Sequence, residues 1–432
     1  MERPVYVGII GFGNVGAGTY KTLLDNQANI DRKVGRPVRV RKIADVDWSR
    51  PRPFGLAVPA ELQVIDARDL INDPEIAIVV ESIGGIRPSL ELVLGALRAG
   101  KSVVTSNKEL VARHGKELFH AAAERNLDLA FEGSVGGGIP IIRPLKSCLA
   151  GNRINRIMGI VNGTTNFILT QMSQNRTEFA DALAEAQRLG YAEPDPTNDV
   201  EGFDASFKLA ILASIGFETR VQVESIYREG ITGLAARDME YARRFGYVIK
   251  LLAIGAQVNG GLELRVHPTL LPQHHPLAAV NGPFNAIFVR GSSVGDVMFY
   301  GQGAGPLPTG SAMVGDIIDV ARNIRFGATG RVACTCFDEK PFLPIEELQT
   351  RYYLRLDAAD RPGVLAAIAH VFGEEGVSLA SVLQMGASGE SAEIVWLTHT
   401  TRERRMQRSL DRIAALPEVN KINSRIRVEA EE

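Results

Sequence analysis

A continuous apolar run, Val5–Ile10, leads directly into Gly11-Phe12-Gly13-Asn14-Val15-Gly16, and a helical segment follows to about Ala28. A strand that is apolar at every position must be covered on both faces, which calls for a parallel sheet with crossover helices. Further strand candidates are Val38–Ala44, Leu62–Ile65, Ile76–Val80, Ser102–Thr105 and Asp128–Phe131, with helices such as Ser89–Ala99 and Lys108–Arg125 between them and a loop around Asn26–Pro37. This alternation predicts an α/β chain whose residues 1–131 form a Rossmann-type doubly wound parallel sheet. The glycines of the first turn allow a sharp bend and a close approach of pyrophosphate to helix-terminal amides. Gly11, Phe12, Gly13, Asn14, Val15 and Gly16 are therefore candidate dinucleotide ligands. The partner acid ending the second strand is Asp45 or Asp47, which accepts ribose hydroxyls and repels a 2′-phosphate, favouring NAD over NADP. Arg50 and Arg52 follow closely and oppose that preference. Ser82-Ile83-Gly84-Gly85 and Thr105-Ser106-Asn107-Lys108 fall at the carboxyl edge of the sheet, where ligands of this fold bind. Ile83, Gly84, Ser106 and Lys108 join the cofactor set. A cation at a helix start opposes the helix dipole, which marks Lys108 as functional.

From Glu132 the texture changes to a glycine-dense loop, and a second α/β region runs over 132–305. It holds a strand Arg153–Val161, a helix Thr177–Leu189 capped by Thr177 and ended by Gly190, a strand near Leu262–Val266 and a hairpin Ala286–Tyr300. A helix Ser311–Arg325 lies in residues 306–330, which complete the first domain. The helix that opens at Gly202 is apolar on nearly every side, yet Asp204 and Lys208 stand in it one turn apart, on the stripe of Ile211 and Ile215. Two charges turned inward, where an unpaired ion costs several kcal/mol, point to function. Residues 331–349, with Pro341 and Pro344, read as a linker. Residues 350–432 then read strand-helix-strand-strand-helix-strand, the ferredoxin-like order.

A chain of 432 residues is expected to form two or three domains. Its 48 basic and 50 acidic residues leave no single-sign field for nucleic acid or an anionic membrane. No apolar run is long enough to span a bilayer, and with strand-like sequence from Val5 no signal peptide is expected. Cys148, Cys334 and Cys336 make neither a disulfide framework nor a zinc site, so a reducing cytoplasm is expected. His267, His274 and His275 sit beside prolines in a loop without a carboxylate cluster, which argues against a metal site. The basic segment Arg402–Arg412 reads as a solvated helix face.

GFGNVG, TSNKEL, EGSVGGGIPII, IVNGTTNFIL, LGYAEPDPTNDVEGFDASFKLAIL and YGQGAGPLPTGSA, in that order over about residues 5–325, resemble the homoserine dehydrogenase family. The tail around Asp360-Arg361-Pro362-Gly363-Val364-Leu365 resembles an ACT domain. The resemblance implies NAD(P)-dependent interconversion of L-homoserine and L-aspartate 4-semialdehyde, in threonine, methionine and isoleucine biosynthesis. It implies Lys208 as the acid/base, Asp204 as its partner and a substrate contact, and Lys108 at the cofactor–substrate junction. Glu193, Gly190 and Tyr191 would meet substrate, while Gly190, Gly303 and Gly305 border the cofactor. Backbone carbonyls of Glu132, Val135, Gly137 and Ile139 match a monovalent-cation loop, with sodium the expected ion. Asn162–Asn166 would cap a helix and offer amides to a carboxylate. Asp360, Pro362, Gly363 and Val364 would meet an amino-acid effector, L-threonine, in a separable regulatory module, and the assembly would be a homodimer or homotetramer. One departure is Val46, where the family often carries an arginine for NADP. Two rival readings stand beside this one. Aspartate-semialdehyde dehydrogenase would need a cysteine nucleophile, for which no cysteine has a catalytic setting. A nonenzymatic amino-acid sensor on a dehydrogenase scaffold would not need Lys208 and Asp204.

Overall fold

The computed structural model describes residues 3–388 and 391–429. The chain divides into two compact units, neither of which is a single run of sequence. The first comprises Met1–Ile157, Phe207–Glu224 and Asn285–Glu339; the second Met158–Ser206, Ser225–Phe284 and Lys340–Glu432.

The first unit is built on β1 (Val5–Ile10), β2 (Val38–Ala44), β3 (Gln63–Val64), β4 (Ile76–Glu81), β5 (Ser102–Thr105) and β6 (Leu129–Ala130), all parallel in the order β3-β2-β1-β4-β5-β6. Alternate side chains enter two cores. Val7, Ile9, Val80 and Val104 pack with Phe12, Tyr20, Met313 and Ile317, while Ile10, Val79 and Val103 pack with Leu94, Leu97, Leu110 and Leu118. The first core depends on helix Pro306–Phe326, which returns from far along the chain to lie on helix Asn14–Asp25. Glycines allow that close crossing: a Cβ at Gly18 would stand 2.0 Å from Pro306 O, and one at Gly310 would stand 2.6 Å from the Gly18 carbonyl carbon.

Several elements differ from the sequence expectations. The loop around Asn26–Pro37 contains helix Gln27–Val34, ended by Gly35 in the left-handed region. Its buried apolar side chains are only Ile30 and Val34 among polar and charged residues, too sparse to show a period. The helix expected over Thr177–Leu189 is Phe179–Arg188, with Glu178 rather than Thr177 at the N-cap and no side-chain cap bond. The helix expected from Ser311 starts at Pro306, a residue suited to a first turn.

The remaining strands are β7 (Ile154–Ile160), β8 (Tyr227–Arg228), β9 (Tyr247–Val258), β10 (Gly261–Pro272), β11 (Phe284–Gly291), β12 (Gly295–Gln302), β13 (Gln349–Ala359), β14 (Leu379–Ser388), β15 (Ser391–Thr398), β16 (Thr401–Arg402) and β17 (Val419–Val428). In the second unit the order is β9-β10-β17-β13-β15-β14, with β8 on β10 and β16 on β13. The expected short strand Leu262–Val266 is the start of a long antiparallel hairpin, from Gly261↔Val258 to Pro272↔Tyr247. Its partner YVIKLLAIGAQV is buried through most of its length, so no alternation announced it. His267 lies in β10 rather than in a loop, fully buried, and desolvation together with Arg427 and Arg265 holds it neutral. Tyr352, Leu354, Ile368, Phe372, Trp396, Met406 and Leu410 form the core of the tail. β17 pairs with β10 through Thr269↔Arg427 and Leu270↔Val428, so the tail's sheet continues the β9–β10 hairpin. The 331–349 segment is tied at two points, by the bridges Thr219↔Asp338 and Leu262↔Phe342. No helix among the described residues is long and apolar enough to cross a membrane.

Candidate active site

The three glycines of the first turn have three different surroundings. Gly11 has φ +89°, and a Cβ there would press on the Ser82 backbone at 3.1 Å. A Cβ at Gly16 would meet Gly11 O at 2.0 Å, so this glycine sets how closely helix Asn14–Asp25 follows β1. Gly13 is the N-cap without a side-chain cap bond, and a Cβ there would meet nothing within 4 Å. Open space at an uncapped helix start is what a pyrophosphate requires. Of the two candidate acids, Asp45 turns to the cradle: its Oδ2 accepts from Phe12 N at 2.8 Å and pairs with Arg52 at 3.2 Å. Asp47 instead accepts from Ser49 and Arg50. The Arg52 guanidinium lies 4.6 Å from the Trp48 ring centroid. Val46 projects into solvent at 84% exposure.

At the ends of β4 and β5 a buried carboxylate arranges the loops. Glu81 accepts from Ile83 N at 2.8 Å, Gly84 N at 3.2 Å and Thr105 Oγ1 at 2.6 Å. Thr105 Oγ1 accepts from Asn107 N, and Asn107 Nδ2 donates to Gly85 O at 2.6 Å while its Oδ1 caps helix Lys108–Ala123. Lys108, the first residue of that helix, is half-buried. Sequence reasoning named Ile83, Gly84 and Lys108 but missed Glu81. The available signal was a lone charge ending an otherwise apolar strand.

In the second unit the acid-rich stretch folds onto one amide. Asn162 Oδ1 accepts from Thr165 N at 2.9 Å and caps helix Gly163–Asn175. Its Nδ2 donates to Asp204 Oδ2 at 2.8 Å and to Asp199 Oδ1 at 2.6 Å. The Asn162 amide thereby holds two carboxylates side by side, an arrangement that suits an ammonium group. Asp199, on the short helix Thr197–Val200, was not singled out in the sequence. Glu193 and Tyr191 are exposed, Gly190 has φ +77°, and the Tyr191 ring stands 4.9 Å from Phe167. Asp204 and Lys208 lie one turn apart on helix Phe203–Gly216, and both are buried.

The glycine-dense loop is held by its acid. Glu132 accepts backbone N–H groups from Ile141 at 2.5 Å, Ile142 at 2.8 Å and Arg143 at 2.9 Å, and Asp316 Oδ2 accepts from Glu132 N. Burial, then the Glu132 charge, raises the Asp316 carboxyl to about 7 against the opposing pull of Arg143. The Glu132 side chain is thus occupied, which leaves carbonyls for any ion. Gly136 and Gly137 have φ +73° and +51°, and a Cβ at Gly137 would meet Gly303 O at 2.6 Å. Beside Gly303, the buried Asn285 amide has no partner on either its nitrogen or its oxygen among the described residues. Such an orphaned group calls for a polar guest. Val135 and Ile139 are buried in the same loop, and Gly305 has φ +126°.

In the tail, Gly363 has φ +93° and is the N-cap of helix Val364–Glu374 without a side-chain cap bond. Asp360, Pro362, Gly363, Val364 and Gln384 line one cleft, where Gln384 Nε2 donates to Asp360 Oδ1 at 3.2 Å.

Three family models match: "Homoserine dehydrogenase, NAD binding domain" over residues 11–132, "Homoserine dehydrogenase" over 140–318 and "ACT domain" over 352–418. The chain is 47% identical to the homoserine dehydrogenase of Corynebacterium glutamicum, over 98% of this chain and 96% of that protein. It is 42% identical to that of Bacillus subtilis over 99% of each. Its structure resembles a crystal structure of a homoserine dehydrogenase from Thiobacillus denitrificans with a TM-score of 0.93, at 43% identity over 99% of this chain and 98% of that one. It also resembles a hyperthermophilic archaeal homoserine dehydrogenase in complex with NADPH, with a TM-score of 0.62 at 30% identity over 74% and 98%.

Proposed function

The chain belongs to the homoserine dehydrogenase family, and on that premise we propose how its own residues perform the NAD(P)-dependent interconversion of L-homoserine and L-aspartate 4-semialdehyde. The nicotinamide takes hydride from the alcohol carbon, or returns it to the aldehyde. Lys208 removes the hydroxyl proton in one direction and supplies it in the other. Asp204 and Asp199 receive the α-ammonium group of homoserine, with Glu193, Tyr191 and Gly190 bordering substrate and Lys108 standing where substrate and cofactor meet. The observation that carries this reading is the Asn162 amide, which holds Asp199 and Asp204 together. A site built to pair an ammonium rejects an analogue that lacks it, by about 10³-fold or more. The test compares homoserine with 4-hydroxybutanoate in wild type, Asp199→Asn and Asp204→Asn. The variants should lose most of this discrimination while NADPH affinity stays within about threefold. Discrimination retained in both would sink the assignment.

The dinucleotide lies along Gly11–Gly16, Ile83–Gly84 and Ser106, bordered by Gly303 and Gly305. NAD is slightly favoured because Asp45 faces the ribose, and Arg52 narrows the margin. A monovalent cation, sodium, sits on the carbonyls of Glu132, Val135, Gly137 and Ile139. The support is the positive φ of Gly136 and Gly137 together with the orphaned Asn285 amide. The enzyme works in the cytoplasm as a homodimer or homotetramer. β12, at the end of its strand order, carries exposed Met298 and Tyr300, an apolar edge that suits a second copy. L-threonine binds Asp360, Pro362, Gly363 and Val364, its carboxylate at the first turn of helix Val364–Glu374 and its ammonium on Asp360.

A further inference from the structure

Away from these residues, the 331–339 segment brings two sulfurs together beside two cations. Arg220 Nη2 lies 2.9 Å from Cys334 Sγ. Lys146, whose ammonium stands 5.0 Å from the Phe119 ring centroid and 5.6 Å from that of Phe131, is coupled electrostatically to the Cys334 sulfur. The Cys336 thiol is within hydrogen-bonding reach of the Cys334 sulfur and lies 3.8 Å from Ser214 O. A hydrogen bond from Phe337 N to Thr335 O closes a tight turn centred on Cys336. Val111, Phe119, Phe131, Ile211 and Ile215 line a partly open apolar pocket of about 20 Å³ beside the pair, room for a molecule the size of water or hydrogen peroxide.

The asymmetry between the sulfurs follows from this placement. The Cys336 hydrogen bond, followed by Arg220 and Lys146, stabilises the Cys334 thiolate and holds its thiol well below the usual range. Cys336, the donor in that bond, is raised and keeps its proton. A stabilised thiolate beside a protonated thiol in a small cavity is the arrangement of an attacking and a resolving cysteine.

We propose that Cys334 and Cys336 form a reversible oxidation site for hydrogen peroxide, with Cys334 as the attacking thiolate and Cys336 as the resolving thiol. The Cys334 sulfur attacks one peroxide oxygen. The O–O bond breaks, hydroxide leaves, and a sulfenic acid forms on Cys334. Cys336 yields its proton to that hydroxide, giving water. Its sulfur then attacks Cys334 and expels the second hydroxide as the S–S bond closes. The two sulfurs lose two electrons and the peroxide is reduced.

The test treats the full-length enzyme with about one equivalent of hydrogen peroxide at pH 7 and follows each cysteine by peptide mass spectrometry. The peptide carrying Cys334 and Cys336 should become lighter by two hydrogens and recover with dithiothreitol, while exposed Cys148 stays a thiol. Cys336→Ser should stop at a sulfenic acid on Cys334 that dimedone traps. Cys334→Ser should leave Cys336 reduced. Arg220→Gln, which leaves both sulfurs in place, should slow oxidation by about tenfold, the loss expected when one neighbouring cation no longer supports the thiolate. Homoserine-dependent activity before oxidation checks that each variant is folded. Oxidation of Cys148 ahead of the pair, a stable sulfenic acid in wild type without disulfide, or an Arg220→Gln rate equal to wild type would each overturn the proposal.

Discussion

Arg52 is held between two ring systems and one carboxylate, 4.6 Å from Trp48, 5.8 Å from Phe12 and 3.2 Å from Asp45. Its guanidinium cancels the charge that would repel a 2′-phosphate, and it can pair with that phosphate directly. Arg52→Ala should therefore lower kcat/KM with NADP by about tenfold or more and change it less than about threefold with NAD. Equal losses with both cofactors in parallel kinetics would remove Arg52 from the choice. Lys208→Ala should reduce kcat by about 10²-fold or more, the usual scale for a general acid/base, with NADPH affinity by fluorescence retained. Turnover near wild type would exclude this lysine. Asp316 makes a pH prediction. Its folded carboxyl is raised from 3.8 to about 7, so the folded state keeps a proton that the unfolded chain has lost. Stability from this group is complete below about pH 4 and disappears as pH rises through about 7, an effect on the order of 4 kcal/mol at most. Thermal unfolding should show a falling Tm between about pH 4 and 7 that is flatter in Asp316→Asn. An unchanged slope would locate the dependence elsewhere.

At the scale of elements, the turn before helix Asn14–Asp25 separates folding from binding. A Cβ at Gly13 meets nothing, whereas one at Gly16 collides with Gly11 O. Gly13→Ala should fold with a Tm near wild type and lose about tenfold or more in dinucleotide affinity, because the methyl occupies space the pyrophosphate needs. Gly16→Ala should lower the Tm as well. If Gly13→Ala binds normally, this turn is not the cradle. Asn162 joins a cap to an acid pair, and two substitutions separate the roles. Asn162→Ser keeps a capping oxygen, while Asn162→Ala loses about 1 kcal/mol of helix stability. Both should raise KM for homoserine, and only the alanine should lower the Tm. A KM change that tracks the Tm would assign Asn162 to the cap alone. The cradle was legible in the sequence because glycine spacing and strand context lie in one short segment. The pairing of Asp199 with Asp204 was not, because it depends on how the proline-interrupted stretch after Glu193 bends back to Asn162.

Across the molecule, the tail is tied to its unit by buried charge as well as by the β10–β17 pairing. Arg355 donates to Asp238 at 2.7 Å and to Glu393 at 2.9 Å, and Asp238, on helix Ala236–Arg244, is fully buried. Arg427 donates to Glu229 at 2.9 Å and to Glu403 at 2.7 Å. Truncation after Phe342 would strand Asp238 without Arg355 and leave the β10 edge open. Loss of one partner of a buried pair costs about 3–5 kcal/mol, so the truncated enzyme should unfold at a clearly lower Tm than the full chain. A truncated enzyme as stable as wild type would make the tail separable. The cleaner probe of regulation is Asp360→Ala, expected to abolish threonine inhibition with basal kcat unchanged. Inhibition that persists would place the effector elsewhere.

The sequence by itself determined the doubly wound sheet, the ferredoxin-like order of the tail and the family, because each is written in local periodicity or in contiguous motifs. The inward placement of Asp204 and Lys208 was also legible, since an all-apolar helix gives its charges no wet face. Tertiary structure alone decided which acid turns to the nucleotide turn, since Asp45 and Asp47 are equivalent until Phe12 N–H and Arg52 choose between them. It decided that Glu81, Asp199 and Asp316 are organising carboxylates, each defined by donors distant in sequence. It also brought Cys334 and Cys336 against Arg220 and Lys146, because cations far along the chain meet a thiol only after the backbone has folded around both.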